Sequence, residues 1–355
     1  MERLDKIKAA TKKAGLDALL ITGEYNRRYA TGFPASDGMA LITPEKCWFF
    51  TDSRYIEAAQ NAIKGFEVLM VTAEAPYSKQ INAIAEEMGI KKVGVEDGCL
   101  TYADYMRYSS LFTPEFAPAQ NVFNELRMVK DESEIESLTA AQRIAEKALD
   151  EVLGIIKPEM TEKDVAAELI YRMLKHGAEN ISFDPIVVSG AKSSMPHGVP
   201  GNVKLTMDSF ITMDFGCIYN GYCSDMTRTV VLGKCSPEME KIYGIVLEAQ
   251  LAGIETAKPG VPGCDVHNAA AKVIADAGYG EYFGHGFGHG VGLEIHELPS
   301  AAPSWKKPLE PGHVISAEPG IYLPGKFGVR IEDVIVITEN GNQNITKAEK
   351  KLIKL

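Results

Sequence analysis

The chain of 355 residues is long enough for two domains, and its 45% hydrophobic and 24% charged content is ordinary for a globular protein. The formal net charge of −11 argues against a nucleic-acid binder and against docking on an anionic membrane, because both partners are themselves negative. No window approaches the run of about 18 apolar residues that a membrane span needs, and we expect no cleaved secretion signal. The six cysteines form no CxxC pair, which predicts reduced thiols in a cytoplasmic protein.

The first 125 or so residues alternate helix and strand signals. A helical opening leads to the strand "LDALLIT", and "GMALITPEKCWFFTD" predicts two strands around a turn at residues 44–46. The segments "FEVLMV" and "KKVGVED" follow, each after a helical stretch. We expect an α/β domain with a mixed sheet over residues 1–125. Because it holds no histidine and no cluster of acids, we assign it a structural or oligomerisation role.

From Lys130 the pattern changes to a long amphipathic helix that ends before Pro158, with Asp131 and Glu134 in the spacing of a capping box. The domain boundary is placed near residues 122–130, so that the second domain covers 126–355. This domain contains a repeat, because "KPEMTEKDV" at 157–165 matches "KPGVPGCDV" at 258–266, 101 residues later. A duplicated α/β half would place two sheets about a pseudo-twofold axis, with a site between them.

Two acids converge around the dipeptide Asn220-Gly221, which is a strong signal for a type I′ hairpin because both turn positions need positive φ. With a two-residue loop, Gly216 lies opposite Asp225, and Asp214 lies on the same sheet face in a diagonal position about 7–8 Å away. Two carboxylates so placed could bridge a cation. The alternative is two solvated acids on an exposed face, which the hydrophobic "FITMDF" disfavours.

A second pair of acids lies in "VISAEPGIYLPGKFGVRIEDVIVIT". A symmetric hairpin about Gly325 sets Glu318 directly opposite Glu332. Like charges placed there repel each other, and both acids lie beside apolar runs in which an unpaired buried charge is costly. A bound metal ion would remove this difficulty.

Three of the seven histidines fall within "GHGFGHGVGLEIHE", residues 284–297, where glycine fills every second place from 284 to 292. The alternating glycines exclude a stable helix and hence the helical HExxH arrangement. Extended backbone without side chains permits close approach of another chain or a ligand. His285 and His289 share a face of an extended run, so one of them could complete a site built from four carboxylates.

Four segments in this order, "MDFGCIYNGYCSDMTRT", "GHGFGHGVGLEIHE", "SAEPGIY" and "GVRIEDVIVIT", resemble the pita-bread metallopeptidases: aminopeptidase P, prolidase, creatinase and methionine aminopeptidase. The resemblance covers the whole chain. The N-terminal segment resembles the creatinase-type domain, and the linker "NELRMVKDESEIESL" is typical of the Xaa-Pro peptidases. The implied fold is an α/β creatinase-like domain followed by a duplicated α+β pita-bread domain.

The resemblance implies two divalent metal ions, bound by Asp214, Asp225, His289, Glu318 and Glu332. Asp225 and Glu332 would contact both ions. Asp214 would complete the shell of one ion, and His289 with Glu318 that of the other. This hard, oxygen-rich set suits Mn²⁺ or Co²⁺, with Zn²⁺ as an alternative, and the family favours manganese.

The same resemblance implies roles for further residues. Glu318 is the candidate general base, His197 would bind the substrate near the scissile bond, and His296 would polarise the peptide carbonyl and stabilise the oxyanion. His285 would line the site. Arg330 and Tyr222 would orient the metal ligands by contacting them without binding the metal themselves. The alternatives are structural, with Arg330 balancing the acids and Tyr222 filling a cross-strand pair with Tyr219. The remaining histidines are expected to be surface or structural residues: His176, His267 and His313.

Creatinase acts without metal, so the complete ligand set disfavours it, and the extra N-terminal domain disfavours methionine aminopeptidase. Ser300 stands where archaeal-type prolidases tend to carry an arginine suited to a dipeptide's free carboxylate. This departure favours a metal-dependent Xaa-Pro aminopeptidase acting on proline-containing peptides. The alternative is an Xaa-Pro dipeptidase (prolidase), and a more distant one is a non-catalytic pita-bread binding protein. A homodimer formed through the N-terminal domain is expected from the resemblance.

Overall fold

The computed structural model describes residues 3–355. The chain divides into two compact units, of which the first ends at Arg127 and the second begins at Met128. Among the described residues, no helix combines the length and the apolar character needed to cross a membrane.

The first unit is an α/β domain built on one six-stranded sheet. Its elements are α1 (Arg3–Lys13), β1 (Ala18–Ile21), α2 (Glu24–Thr31), β2 (Met39–Ile42), β3 (Cys47–Thr51), α3 (Ile56–Ala62), β4 (Glu67–Met70), α4 (Tyr77–Met88), β5 (Lys92–Val95), α5 (Tyr102–Leu111), β6 (Glu115–Pro118) and α6 (Gln120–Met128), which crosses the division. The strand order is β4-β3-β2-β1-β5-β6. The β1–β2 and β2–β3 pairs are antiparallel and the other three are parallel, which confirms the predicted mixed sheet and its hairpin.

The second unit contains four helices and thirteen strands among the described residues. They are α7 (Glu132–Leu153), α8 (Glu162–Lys175), β7 (Asn180–Ile181), β8 (Ile186–Ser189), β9 (Ser209–Phe215), β10 (Cys217–Tyr219), β11 (Tyr222–Cys223), β12 (Met226–Leu232), α9 (Pro237–Thr256), α10 (Gly263–Asp276), β13 (Gly288–Gly290), β14 (Glu297–Ala301), β15 (Val314–Ala317), β16 (Gly320–Leu323), β17 (Phe327–Arg330), β18 (Asp333–Thr338) and β19 (Gly341–Asn344). The predicted capping box is present at the start of α7, where Asp131 and Glu134 each accept the other's backbone N–H.

The helices of this unit repeat as the sequence predicts. α8 and α10 have 14 residues each and begin 101 residues apart, at Glu162 and Gly263. Each follows a longer helix, α7 or α9, and each half has its own buried core. The first core lies against the β8–β9–β12 sheet, and the second contains residues of β15 and β18. The unit is therefore a duplicated α+β domain.

Both predicted hairpin registers are confirmed. Tyr219 pairs with Tyr222 and Asp214 with Thr227, so the same register continued between these strands sets Gly216 opposite Asp225. In the second hairpin, Ala317 pairs with Asp333 and Gly320 with Arg330, which sets Glu318 opposite Glu332. The turn residues Asn220 and Gly221 have φ of 50° and 84°, as a type I′ turn requires.

The packing of the first core can be tested by measuring how its truncation changes the free energy of unfolding. Leu169 on α8 is fully buried, whereas Leu174 on the same helix is 46% exposed. Leu169→Ala should lower the free energy of unfolding by about 2–5 kcal/mol, because it leaves a cavity in a packed core. Leu174→Ala should cost less than about 0.5 kcal/mol. Urea unfolding followed by Trp305 fluorescence, with Trp48 replaced by Phe, reports on the second unit, and equal losses in the two variants would contradict this packing.

Candidate active site

A cavity of about 1240 Å³ opens in the second unit. Nine of the ten site residues predicted from the sequence line it: Asp214, Asp225, His289, Glu318, Glu332, His197, His285, His296 and Arg330. The acids come from the two hairpins, and the glycine-rich run brings His289 between them. The fold thus brings together residues up to 135 positions apart in the chain.

The centre of the cavity is a cluster of acids around one imidazole. Asp225, His289 and Glu332 each present a ligand atom, and these atoms lie within 4.8 Å of one another. His289 Nε2 lies 3.5 Å from Asp225 Oδ2 and 3.2 Å from Glu318 Oε1. The other ring nitrogen, Nδ1, lies 3.1 Å from the carbonyl oxygen of Gly290. With Nδ1 directed at that carbonyl, Nε2 is the ring nitrogen that faces the carboxylates.

The electrostatics of the cluster are those of crowded like charges. Burial raises the pKa of Asp225 and Glu332 well above the usual range, and the charges of the neighbouring carboxylates raise them further. Burial also raises the pKa of Asp214, although Arg330 opposes the shift. Burial alone would raise the pKa of Glu318, but its hydrogen bond to His289 and the charge of that ring lower it to about 2. In His289 burial lowers the pKa, and Glu318 with Asp225 outweighs this effect and raises it to about 9.

Two buried oxygen atoms test whether a cation fits this cluster. Asp214 Oδ1 and Glu332 Oε1 are buried and have no hydrogen-bond partner in the protein. A buried carboxylate oxygen without a donor is costly, and a divalent cation satisfies it. Four carboxylates and one imidazole form the oxygen-rich donor set that suits hard divalent ions. The residues therefore fit a metal centre.

Three residues that were not predicted from the sequence contact the predicted site residues. Thr227 donates from its hydroxyl to Glu332 Oε2 at 2.7 Å, and Ser316 donates to Glu318 Oε1 at 3.0 Å. Tyr322 contacts His285 Nε2 at 3.0 Å through its hydroxyl. Thr227 is the cross-strand partner of Asp214, and Ser316 lies two residues before Glu318. A polar residue directly across from a predicted ligand, or two residues from it on the same strand, faces the same side of the sheet. This rule could have identified Thr227 and Ser316 from the sequence.

Arg330 lies behind the acids, as predicted, with its guanidinium divided among several partners. Nη2 forms a buried ion pair with Asp214, Nη1 donates to Tyr322 Oη at 2.9 Å, and Nε donates to Thr227 Oγ1 at 3.1 Å. Nη1 also reaches the carbonyl of Pro196 at 3.3 Å, next to His197. Its side chain is only 4% exposed, so the guanidinium balances the charge of the acids and contacts Asp214, which is predicted to be a metal ligand.

The other four predicted site residues have different surroundings. His296 packs against His289 with ring centroids 4.3 Å apart, and His285 is held between Tyr322 and the carbonyl of Gly286. His197 lies exposed on the cavity lining. Tyr222 is not part of that lining, because its buried hydroxyl donates to Glu134 Oε1 at 2.7 Å on α7. The orientation of a metal ligand by Tyr222 stays a prediction.

The glycines of the histidine run stand where the backbone approaches other chain segments closely. A Cβ on Gly288 would lie 1.9 Å from the carbonyl oxygen of Ser316, and one on Gly290 would lie 2.5 Å from that of Glu297. The predicted close approach is confirmed. The run is a regular strand only over Gly288–Gly290, so His285 lies outside it.

The remaining three histidines do not line the cavity that holds the four predicted acids. His176 Nε2 contacts Glu151 at 2.8 Å, and His267 stacks on Phe283. His313 is buried, and its Nδ1 accepts the backbone N–H of Glu310 at 3.0 Å. These contacts fit the surface or structural roles expected from the sequence.

Comparison with known families assigns the two units. Residues 136–339 match the model of metallopeptidase family M24, and residues 3–129 match the creatinase/prolidase N-terminal domain. The chain belongs to metallopeptidase family M24. Its architecture is the pita-bread fold of that family preceded by a creatinase-type domain, and membership implies the use of a divalent metal.

Three similar proteins show how closely this M24 chain follows solved and curated relatives. The structure of an Xaa-Pro dipeptidase from Bacillus anthracis is 42% identical, with a TM-score of 0.96 over 100% of this chain and 99% of that one. The X-Pro aminopeptidase from Thermotoga maritima MSB8 is 37% identical, with a TM-score of 0.93 over 98% and 100%. The Xaa-Pro dipeptidase of Pyrococcus horikoshii is 37% identical over 99% of both chains.

The crowded carboxylates of this M24 protein predict opposite effects of one substitution with and without metal. Glu332→Gln should leave the metal-free protein at least as stable as wild type at pH 8, because it removes one of several like charges. A carboxyl whose folded-state pKa is raised destabilises the fold as pH rises above its unfolded pKa, near 4.5. The advantage of the variant should therefore grow as the pH is raised from 5 to 8. The rise in Tm that Mn²⁺ gives the wild type should be lost.

Thermal unfolding of the metal-free and Mn²⁺-loaded proteins measures both effects. Glu281→Gln is the matched control, since Glu281 is exposed on the cavity lining and should change neither. A Glu332→Gln protein that is less stable than wild type without metal, yet keeps the full Mn²⁺ shift, would contradict this description of the cluster.

Proposed function

We propose that this protein is a dinuclear metal-dependent peptidase that hydrolyses the bond between a residue Xaa and a following proline. The observation that carries the proposal is the convergence of four carboxylates and His289 in one cavity, within the segment that matches family M24. The ligands would be Asp214, Asp225, His289, Glu318 and Glu332, and Mn²⁺ is the ion we favour over Co²⁺ or Zn²⁺. Bound ions of this kind polarise a carbonyl and lower the pKa of a water molecule.

Glu318 supports the role of general base by its position. It is half-buried on the cavity lining beside His289, and Ser316 and His289 both contact its Oε1. These contacts fix the carboxyl group on the cavity lining, within reach of a water molecule bound there.

Two histidines of the lining, His285 and His296, have pKa values that burial lowers. Burial lowers the pKa of His296, and the neighbouring charge of His289 lowers it further, which favours the neutral form of the ring. A neutral imidazole can donate a hydrogen bond to a carbonyl oxygen that gains negative charge. Burial also lowers the pKa of His285, whose ring is held by Tyr322. His197 is exposed on the cavity lining, which suits a residue that contacts the substrate.

Between the two peptidase reactions, the relatives support the dipeptidase better than the aminopeptidase predicted from Ser300. The Bacillus anthracis and Pyrococcus horikoshii proteins are both named Xaa-Pro dipeptidases. We therefore propose Xaa-Pro dipeptides as the preferred substrates. The cytoplasmic location and the homodimer expected from the sequence stay predictions.

One feature of the cavity favours the aminopeptidase as a second candidate. Among the described residues that line it, Arg330 is the sole lysine or arginine, and its guanidinium is already bonded to Asp214, Tyr322 and Thr227. Ser300 lies on the lining, and its hydroxyl donates to the carbonyl of Gly288 at 3.3 Å. A dipeptide's free carboxylate would then depend on the histidines, whereas a longer peptide needs no such partner.

Three substrates separate the two candidates: Ala-Pro, Ala-Pro-amide and Ala-Pro-Ala. The Mn²⁺-loaded dipeptidase should cleave Ala-Pro with a kcat/KM at least tenfold above that for the amide and the tripeptide, because only Ala-Pro presents the carboxylate. Ala-Ala is the control for the requirement for proline and should be cleaved slowly.

Faster cleavage of the tripeptide and the amide would instead establish the aminopeptidase. Release of alanine from none of the proline substrates, with Mn²⁺, Co²⁺ or Zn²⁺, would contradict both candidates. Chelation should abolish activity in either case, and restored activity on adding back metal confirms that the loss was reversible.

A further inference from the structure

The linker segment 130–134 has no part in the proposed reaction, yet two of its residues reach the segments that carry the site. Lys130 Nζ lies 2.7 Å from Glu297 Oε1, and Glu297 directly follows His296. Glu134 Oε1 accepts from the hydroxyl of Tyr222, three residues before Asp225. The backbone N–H of Lys130 donates to the carbonyl of Gly312 at 2.9 Å, which fixes the linker itself.

The Lys130–Glu297 ion pair is almost completely enclosed. The two side chains are 1% and 7% exposed. A buried ion pair is a poor source of stability, because removing two charges from water costs about as much as their attraction returns. Its conformational effect is large, however, since each charge holds the other at one place in the fold. An enclosed pair beside a functional segment therefore points to control of geometry.

Glu297 sits beneath the turn that carries His296. A Cβ on Gly292 would lie 2.2 Å from Glu297 Oε1, so the turn passes directly over the carboxylate. Glu297 Oε2 accepts the backbone N–H of Glu294 at 3.3 Å, and the backbone of Glu297 pairs with Gly290, next to His289. The carboxylate thus contacts the turn from inside and holds it between His289 and His296.

The opposite side of the turn is held by the hairpin that leads to Asp225. The backbone N–H of Cys223 donates to the carbonyl of Gly292 at 2.8 Å, and its thiol contacts the carbonyl of Leu293. With these contacts on one side and Glu297 on the other, the path of residues 290–297 is fixed. The ring of His296 is thereby set against that of His289, with centroids 4.3 Å apart.

We propose that Lys130 is a positioning residue, which acts through Glu297 to set the imidazole of His296 against His289. The inference rests on the proposed function for the role of His296 in the reaction, and its structural part can be measured without activity. Lys130 does not line the cavity, and its contacts are with Glu297 and the carbonyl of Gly312. It should therefore affect the rate of reaction through the orientation of His296, with little effect on metal binding.

The test compares Lys130→Met with Lys130→Arg and Glu297→Gln. Lys130→Met should lower kcat for Ala-Pro or Ala-Pro-Ala at least tenfold while KM and the Kd for Mn²⁺ change less than threefold. Lys130→Arg keeps the charge and should recover most of the rate. Because Lys130 and Glu297 act as one unit, the double variant Lys130→Met/Glu297→Gln should be no slower than the slower single variant.

The independent readout is the environment of His296 in the metal-free protein. With ¹³Cε1-labelled histidine the chain gives seven imidazole signals, and a His296→Gln variant identifies the one of interest. Lys130→Met and Glu297→Gln should shift the His296 signal and leave that of His176, on α8's far end, unchanged. If Lys130→Met does not fold, the His296 signal of Glu297→Gln tests the proposal by itself. Glutamine has the same shape as glutamate and can still form a hydrogen bond.

Two controls separate positioning from simple loss of stability. Leu169→Ala removes core packing without contact to the cavity, so it should lower Tm and keep kcat. Lys326→Met breaks an exposed Lys–Glu pair, 60% and 47% exposed, and should change neither. Full kcat and an unchanged His296 signal in Lys130→Met would overturn the proposal, as would a rate loss matched by Leu169→Ala. If wild type cleaves no peptide, the proposed function fails, and the His296 signal still decides the positioning role.

Discussion

Mutual repulsion among buried carboxylates is the constraint on which the second unit depends. Asp214, Asp225, Glu318 and Glu332 line one cavity, and burial with neighbouring charge raises the pKa of three of them. A fold that places these groups together loses stability unless cations are present. The crowded carboxylates therefore lower the stability of the metal-free protein and raise the affinity of the site for divalent ions.

A buried arginine on β12 holds the backbone beside these acids. Arg228 is fully buried, and its Nη1 donates to the carbonyl oxygens of Thr227 and Glu332, at 2.9 and 2.5 Å. It ties together the β12 and β18 sides of the site, and its Nη2 pairs with Asp333 at 2.8 Å. The acids are thus held by a rigid frame, and their positions are set before any ligand binds.

Much of this site could be predicted from the sequence, because hairpin chemistry determines which residues face each other. The Asn220-Gly221 turn and the symmetry about Gly325 determine which residues pair across each hairpin. The pairing in turn determines the sheet face on which each of the four acids lies. Tyr222 lies an odd number of residues from Asp225, and side chains alternate along a strand, which agrees with its hydroxyl reaching Glu134. Thr227 could be singled out as the cross-strand partner of Asp214, but its contact with Glu332, 105 residues away, could not be predicted. The same holds for Lys130 and Glu297, which are 167 residues apart. Only the packing of the two halves brings such pairs together.

The most direct test of this account is anomalous diffraction from crystals grown with Mn²⁺, recorded at the manganese absorption edge. The account predicts two peaks in the cavity, with Asp225 and Glu332 contacting both ions. Asp214 should contact one ion, and His289 with Glu318 the other. No peak among these residues, or ions bound elsewhere while the carboxylates stay unligated, would contradict it.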